Sequence, residues 1–232
     1  MARLHVAQTV MMTAIDMQSL DRWWSAPGDW VETPNERRQG ESGVRFVQIG
    51  NRQYYCKQQS GHLHRSWRHP FGRPTVLREA ESITALQALG VPVPRLVFHA
   101  AEKLAGQWKA ILVTEALTGM LPLDRWYAEM AESISPDARA MLLTCIGQTL
   151  AKMHRFGWQH SCLYAKHVFV RVEDGPFPKA EVVLIDLEKC RKRLRPAQAA
   201  THDMNQLHRH RASMSEADWQ QLVLNHTQAL DG

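Results

Sequence analysis

Hydrophobic periodicity changes near the middle of this 232-residue chain. In its first half, short runs such as VRFVQIG and RQYYCKQQ predict strands, and Gly50-Asn51 between them is typical of a hairpin turn. Later, DRWYAEMAE and SPDARAMLLTCIGQTLAKMHRFG show helical spacing, and Ser135 followed by Pro136 is a good helix start. Another pair of strands, HVFVRV and EVVLIDLE, is inserted among these helices. The pattern predicts a two-lobed α+β chain, with a β-rich lobe over residues 1–117 and a helical lobe over residues 118–232.

The N-terminal lobe is predicted to contain five strands and one helix. Residues 20–40 are rich in Trp, Pro and Gly, which indicates an irregular, partly aromatic-packed lead-in. The run GHLHRSWRHPFGRP indicates a basic, His-rich loop, and TVLREAESITALQALG a helix that ends at Gly90. VPVPRLVFHA and WKAILVTEAL predict a turn and two further strands. The tail after Gln198 is predicted to be helical.

Composition excludes several classes of protein. The four cysteines are far apart and form no CxxC pair, which argues against a zinc ribbon or a disulfide framework and for a reducing compartment. The first residues make a poor signal peptide, and no apolar run approaches the roughly 20 residues of a membrane-spanning helix. We therefore expect a cytoplasmic protein without a transmembrane segment. Its formal charge of +5 favours anionic partners.

Three residues suit phosphoryl transfer, which requires positive charge on the nucleotide phosphates, a carboxylate-bound metal and an oriented hydroxyl. Lys57 lies on a predicted strand, Glu79 lies on the following helix, and Asp186 ends the apolar strand of LIDLE. Each has an ordinary alternative: a solvated strand lysine, an exposed helix glutamate and a turn aspartate. Their order along the chain favours the phosphate site.

The chain resembles a known family in several stretches. These are REAESITALQALGVPVPRLV, LVTEALTG, IGQTLAKMHRFGWQHSCLYAKHVFV and LIDLEK. From about residue 40 to residue 195 it is similar to the bacterial lipopolysaccharide kinases, a group that includes Kdo kinases, heptose kinases and InaA-type proteins. HSCLYAKHVFV most closely resembles the InaA branch. The resemblance implies a protein-kinase-like bilobal fold and the use of ATP and Mg²⁺.

The resemblance also implies roles for individual residues on the nucleotide side. Lys57 would contact the α- and β-phosphates, and Glu79 would pair with it. The segment from Glu115 to Leu117 would form a hinge that binds adenine through its backbone. Gly40 and Gly43 alone match the glycine-rich phosphate loop, and the match is poor.

The catalytic loop departs from the pattern H-R-D-x-x-x-x-N that the resemblance implies. His160 matches the first position, Ser161 replaces the arginine, Cys162 replaces the catalytic aspartate and His167 replaces the metal-binding asparagine. Asp186 would bind Mg²⁺ where the usual motif reads Asp-Phe-Gly, with His167 as a second ligand. We therefore assign His160, Cys162, Asp186 and Lys57 to the catalytic set.

Cys162 leaves three interpretations open. A thiol is mostly neutral near pH 7 and accepts hydrogen bonds weakly, so the loss of a positioned base typically costs about 10² to 10⁴ in rate. Such an enzyme still retains the charge and positioning on which phosphoryl transfer depends. Alternatively, Cys162 is a thiolate nucleophile with His160 or His167 as its base, or a small buried residue that packs the loop.

A basic stretch of the sequence indicates which partners the protein binds. KCRKRLR at 189–195 carries five positive charges. This stretch suits an anionic lipopolysaccharide-type acceptor or an acidic membrane surface, and a solvated loop is the ordinary alternative. No nucleic-acid reader motif is present, so nucleic acid is not an expected partner. His62, His64 and His69 have no carboxylate or cysteine at the usual metal-ligand spacing in the sequence, which favours a mobile loop over a metal site.

Three functions follow from these observations. The first is an ATP- and Mg²⁺-dependent kinase that phosphorylates a sugar of the lipopolysaccharide core, or a related glycan or lipid, at the cytoplasmic face of the inner membrane. The second is a catalytically impaired pseudokinase that acts as a stress-related binding or scaffolding protein. The third is a small-molecule phosphotransferase similar to the aminoglycoside kinases, which Cys162 disfavours because those enzymes usually retain the aspartate.

Overall fold

A computed structural model describes residues 18–37, 40–67 and 69–232. The chain divides into two compact units. The first unit comprises the described residues up to Leu77 together with Val97–Ala116, and the second comprises Arg78–Leu96 and Leu117–Gly232. Arg78–Leu96, which lies inside the expected 1–117 lobe, therefore groups with the C-terminal unit.

Strands and helices are numbered in chain order. The strands are β1 (Asp29–Arg37), β2 (Gly40–Ile49), β3 (Arg52–Ser60), β4 (Leu63–Ser66), β5 (His69–Pro74), β6 (Leu96–Leu104), β7 (Gln107–Glu115), β8 (Leu121–Pro122), β9 (Trp158–Gln159), β10 (Val168–Glu173), β11 (Lys179–Leu184) and β12 (Arg191–Lys192). The helices are α1 (Leu20–Ser25), α2 (Thr75–Ala88), α3 (Leu123–Glu129), α4 (Pro136–Arg155), α5 (Pro196–Arg209) and α6 (Glu216–Asp231).

A five-stranded sheet forms the body of the first unit, in the order β1-β2-β3-β7-β6. The predicted hairpin is confirmed, because β2 pairs antiparallel with β3 and Gly50 between them has a φ of 58°, which glycine adopts without strain. On β3, Lys57 is opposite Val44 of β2 and Leu112 of β7. Lys57 therefore lies on the central strand, where both neighbours fix the backbone.

For the lead-in over residues 20–40, the expected irregular backbone is wrong where the structure describes it, because α1 and β1 form there, whereas the expected aromatic packing is confirmed. Ser19 caps α1 by accepting a hydrogen bond from the Arg22 amide, and Trp23 is buried edge-on against Tyr54 of the sheet, with ring centroids 5.2 Å apart. The following strand, β1, is interrupted by register shifts around Pro34. Proline is tolerated there because β1 is an edge strand and the bulges remove the need for its missing amide.

The His-rich stretch is also not a loop, as β4 and β5 pair into a separate two-stranded hairpin. This hairpin could not be predicted because apolar and polar residues do not alternate clearly in either strand. Phe71 is almost fully exposed, and the pairing shifts register between His64 and Ser66. Among the described residues, no group of three or more His, Cys, Asp or Glu side chains is placed to hold a metal ion, here or elsewhere.

The second unit is organised around α4. Its predicted start is confirmed, since the Ser135 hydroxyl accepts a hydrogen bond from the Ala138 amide and Pro136 occupies the first turn. Gly147 lets α6 approach closely, because a Cβ there would lie 2.8 Å from the His226 amide nitrogen. The helical tail is confirmed as α5 and α6, and the inserted strands as the β10–β11 hairpin, which β8 extends to three strands.

Within the described residues, none of the helices has the length and apolar character needed to cross a membrane.

Candidate active site

The open end of the β10–β11 hairpin brings His167 and Asp186 together. Val168 begins β10 opposite Leu184 at the end of β11, and the Ile185 amide donates to the His167 carbonyl at 3.0 Å. The residue before one strand and the residue after the other therefore meet. His167 Nε2 lies 3.4 Å from Asp186 Oδ2, and these are the two residues that the sequence analysis expected to bind a metal.

Asp186 has an unusual backbone conformation, with φ 58° and ψ 56°. A non-glycine residue in this left-handed region costs roughly 1 to 3 kcal/mol and persists where the surrounding structure enforces it. Such residues cluster at functional sites. The carboxylate, 42% exposed, is accessible to a ligand.

His167 presents a nitrogen lone pair to Asp186. Its Nδ1 donates to the Cys162 carbonyl at 2.7 Å, so in the neutral ring Nε2 carries no proton. Burial lowers the pKa of His167, and this outweighs the Cys162 carbonyl and the Asp186 charge, which act in the opposite direction. Near pH 7 the ring is therefore neutral, and two electron-pair donors, Nε2 and a carboxylate oxygen, face each other. A metal role for this pair stays a prediction.

His160 is fully buried, and its ring is stacked against His167 with centroids 6.0 Å apart. Its Nε2 donates to the Ile185 carbonyl at 2.9 Å, which ties the loop to the segment that carries Asp186. Burial lowers the pKa of His160 despite the nearby Asp203 charge. The expected catalytic role of His160 stays a prediction.

Asp203 of α5 anchors the backbone of this loop, a residue that sequence reasoning missed. Its Oδ2 accepts from the His160 amide at 2.5 Å, and its Oδ1 accepts from the Ser161 amide at 2.9 Å. Ser161 has a φ of 71°, again in the left-handed region. The two hydrogen bonds to a fully buried carboxylate hold the loop in this otherwise unfavourable conformation.

The same carboxylate connects the loop to α4 and α6. His154 Nε2 donates to Asp203 at 3.3 Å, and His154 Nδ1 lies 2.9 Å from Nε2 of His226. Because a carboxylate only accepts, His154 donates through Nε2, and its Nδ1 shares a hydrogen bond with His226. The one sequence pattern that indicates this buried chain of side chains is LAKMH, in which His154 follows an apolar helix face.

The network shifts the pKa values of its members. Burial raises the pKa of Asp203, but hydrogen bonds from His154 and from the His160 and Ser161 amides outweigh it, and the net pKa lies below its ordinary value. Burial and the neighbouring His154 lower the pKa of His226 to about 4. Asp203 is therefore ionised near pH 7, which strengthens its hydrogen bonds to the loop.

Cys162 is 8% exposed, and its own carbonyl is the acceptor that fixes the His167 ring. No hydrogen bond joins the thiol to either neighbouring histidine: His160 Nε2 bonds the Ile185 carbonyl, His160 Nδ1 has no hydrogen-bond partner, and His167 bonds the Cys162 carbonyl and faces Asp186. Neither ring is placed as a base for the thiol. The geometry thus favours Cys162 as a packed loop residue over a thiolate nucleophile.

The remaining candidates of the first unit lie along the sheet. Lys57 is partly exposed on β3. Gly40 and Gly43 lie within β2, where an added Cβ would meet the Gly61 and His62 backbone at 2.4 Å and Trp30 at 2.8 Å, respectively. Close packing within the sheet therefore accounts for both glycines. Their role in binding phosphates stays a prediction.

The expected hinge segment is partly bonded within the chain. Glu115 ends β7 opposite Tyr54, and the Ala116 amide donates to the Gln53 carbonyl at 2.9 Å. In the second unit, the Leu117 carbonyl accepts from the Met120 amide. A carbonyl retains a second lone pair, so the adenine contact stays a prediction.

Glu79 is buried on α2 within the second unit, and its charge contributes to raising the pKa of Cys190. Its expected pairing with Lys57 likewise stays a prediction.

Comparisons with known proteins agree with one another. The family model described as "Lipopolysaccharide kinase (Kdo/WaaP) family" matches residues 21–225. Protein InaA of Escherichia coli (strain K12) is 40% identical over 213 residues, which cover 91% of this chain and 97% of InaA. The solved structure of WaaP in complex with acyl carrier protein superposes with a TM-score of 0.66 at 18% identity, over 90% of this chain and 81% of that one. The expected α+β, protein-kinase-like fold is confirmed.

Proposed function

Since the chain belongs to the lipopolysaccharide kinase (Kdo/WaaP) family, we propose that it transfers the γ-phosphoryl group of ATP to a sugar hydroxyl of a lipopolysaccharide-type acceptor. The acceptor is a core sugar or a related glycan or lipid, reached at the cytoplasmic face of the inner membrane. The observation that carries this proposal is the pair of facing donors, His167 Nε2 and Asp186 Oδ2, 3.4 Å apart.

This donor pair fits a divalent cation. Asp186 would supply the carboxylate oxygen that Mg²⁺ prefers, and His167 Nε2 would be a second, weaker donor for this ion, with nucleotide oxygens and water as the remaining ligands. When bound, the ion would neutralise negative charge on the phosphates. The chain contributes by fixing both donors, His167 through the Cys162 carbonyl and Asp186 through its left-handed backbone.

Lys57 supplies the other charge in this proposal. It projects from the central strand of the sheet, with its backbone held on both sides by β2 and β7. The strand fixes the point from which this flexible side chain extends, and its compact ammonium would bind the α- and β-phosphates as a point charge. Glu79 of α2 orients it by pairing with the ammonium.

The alternative is a pseudokinase, and Cys162 is the observation that favours it. No loop carboxylate orients the acceptor hydroxyl at that position. The protein would then act as a stress-related binding or scaffolding protein, and the two functions differ in phosphoryl transfer.

Nucleotide is expected to stabilise the protein only in the presence of a divalent cation. At ten times the dissociation constant, binding stabilises the folded state by about 1.4 kcal/mol, a rise in melting temperature of roughly 3 to 5 °C for a chain of this size. Asp186→Asn should remove most of this rise, and His167→Gln part of it, because each removes a ligand. Thermal shift with a non-hydrolysable ATP analogue and Mg²⁺ measures both.

Asp231→Asn, at the exposed end of α6, is the matched control and should behave as wild type. An equal rise in wild type and Asp186→Asn would contradict the assigned cation site. The absence of any rise in wild type at millimolar nucleotide would count against both the kinase and the nucleotide-binding pseudokinase.

A further inference from the structure

Two neighbouring segments of the second unit, residues 155–158 and 189–195, form a surface that is both basic and apolar. We call it the basic–apolar surface. The strand β9 pairs with β12, with Trp158 opposite Lys192. Beyond this pairing, the Arg193 amide donates to the Gly157 carbonyl at 2.7 Å. The two segments are thus held side by side.

The backbone of the basic–apolar surface is well fixed. Gly157 has a φ of 74°, and a Cβ at this position would lie 2.7 Å from the Arg193 carbonyl, so only glycine fits. The Arg193 side chain donates to Gln159 Oε1 at 2.6 Å. Arg78 donates to the carbonyls of Lys189 and Cys190. The surface is therefore presented by an ordered framework.

Two large apolar side chains project from this framework. Leu194 is 102% exposed and Phe156 is 42% exposed, and they flank the Arg193–Gly157 hydrogen bond, one on each segment. Exposure of a leucine side chain to water is unfavourable. Its burial lowers the free energy only when the surface meets an apolar phase.

The charged residues within these two segments are all basic. Lys189, Arg191, Lys192 and Arg195 are exposed on one segment, and Arg155 is exposed on the other. No acidic residue occurs in the sequence between Asp137 and Glu173, or between Glu188 and Asp203. Neither segment therefore neutralises its own cations, and the surface attracts anions.

We propose that the basic–apolar surface docks onto an anionic lipid bilayer, with Leu194 and Phe156 inserted among the acyl chains and the basic side chains on the headgroup phosphates. A bilayer supplies both an anionic layer and an apolar layer directly beneath it, and the surface displays the complementary pair. Nucleic acid offers only the first. The proposal deepens the membrane location proposed above and does not depend on phosphoryl transfer.

Vesicle co-sedimentation tests the docking. The protein is expected to bind vesicles that contain phosphatidylglycerol and not vesicles of phosphatidylcholine alone. Binding should weaken as ionic strength rises from about 0.1 M to about 1 M, where the screening length falls from about 10 Å to about 3 Å. Arg191→Gln with Lys192→Gln should lower the partition coefficient roughly 30-fold. Phe156→Ser with Leu194→Ser should lower it about tenfold or more.

Matched controls use exposed residues elsewhere. Arg52→Gln with Lys103→Gln removes two cations of the first unit, and Leu104→Ser with Phe177→Ser removes two exposed apolar side chains. Both controls should bind anionic vesicles as wild type does. Equal binding to neutral vesicles, or equal losses in the surface and control variants, would overturn the proposal.

Two further outcomes test the bilayer docking and separate it from the kinase proposal. If the serine variant binds as wild type while the glutamine variant does not, no insertion occurs, and a soluble acidic protein or nucleic acid becomes the better partner. If the vesicle results hold but the nucleotide-induced thermal shift is absent, the docking stands and the kinase proposal fails. A far-UV circular dichroism spectrum and a melting temperature equal to those of wild type in both surface variants show that the losses do not arise from misfolding.

Discussion

The variant Cys162→Asp is expected to raise the rate of phosphoryl transfer by about 10² to 10⁴ over wild type. Position 162 follows the Asp203-anchored residues His160 and Ser161, and its carbonyl fixes the His167 ring. The loop is therefore already ordered, and the substitution adds the missing carboxylate. A positioned carboxylate accepts the proton of the acceptor hydroxyl as the phosphoryl group is transferred.

The rate is measured with γ-labelled ATP and a lipopolysaccharide-type acceptor. In Cys162→Asn the side chain has the shape of aspartate without its charge, so this variant should keep the wild-type rate. Cys162→Ser should keep it as well. A gain with Asn equal to that with Asp would show that side-chain shape is responsible. A large loss with Ser would instead support the thiolate nucleophile.

Asp203→Asn is expected to lower the free energy of unfolding by about 3 to 5 kcal/mol. The carboxylate is fully buried and accepts from two backbone amides and two histidines. An asparagine side chain has one acceptor oxygen and an NH₂ group, so it leaves an amide of the loop unpaired and places donors against donors. The left-handed Ser161 then loses the contact that maintains its conformation.

Urea unfolding followed by circular dichroism measures this loss. Asp231→Asn, at the exposed end of α6, should change the unfolding free energy by less than about 0.5 kcal/mol. A similarly small effect of Asp203→Asn would contradict the assignment of Asp203 as the anchor of the loop.

Much of the fold follows from local sequence. The hairpin at Gly50, the Ser135 cap of α4 and the β10–β11 hairpin each have a local chemical cause, and each is confirmed. The lead-in and the His-rich stretch were misread for the opposite reason. An edge strand with bulges at Pro34, and a hairpin that exposes Phe71, do not alternate as half-buried strands do.

The candidate site was only partly accessible to sequence reasoning. His167 and Asp186 were identified because each adjoins a strand of one hairpin, so local pairing brings them together. Asp203 lies on a helix whose approach to the loop depends on tertiary packing. Nothing in the local sequence distinguishes Asp203 from any other aspartate in a polar helix. The contacts of His154 and His226 could not be predicted for the same reason.

The most direct test of the central claim compares phosphoryl transfer by wild type and by Asp186→Ala, with Mg²⁺ and a lipopolysaccharide-type acceptor. We predict slow transfer of the labelled γ-phosphoryl group to the acceptor by wild type and none by the variant, because the variant lacks one of the two facing donors of the cation site. Equal, background-level transfer to the acceptor by both proteins would contradict the account. The protein would then be a scaffold with a kinase fold.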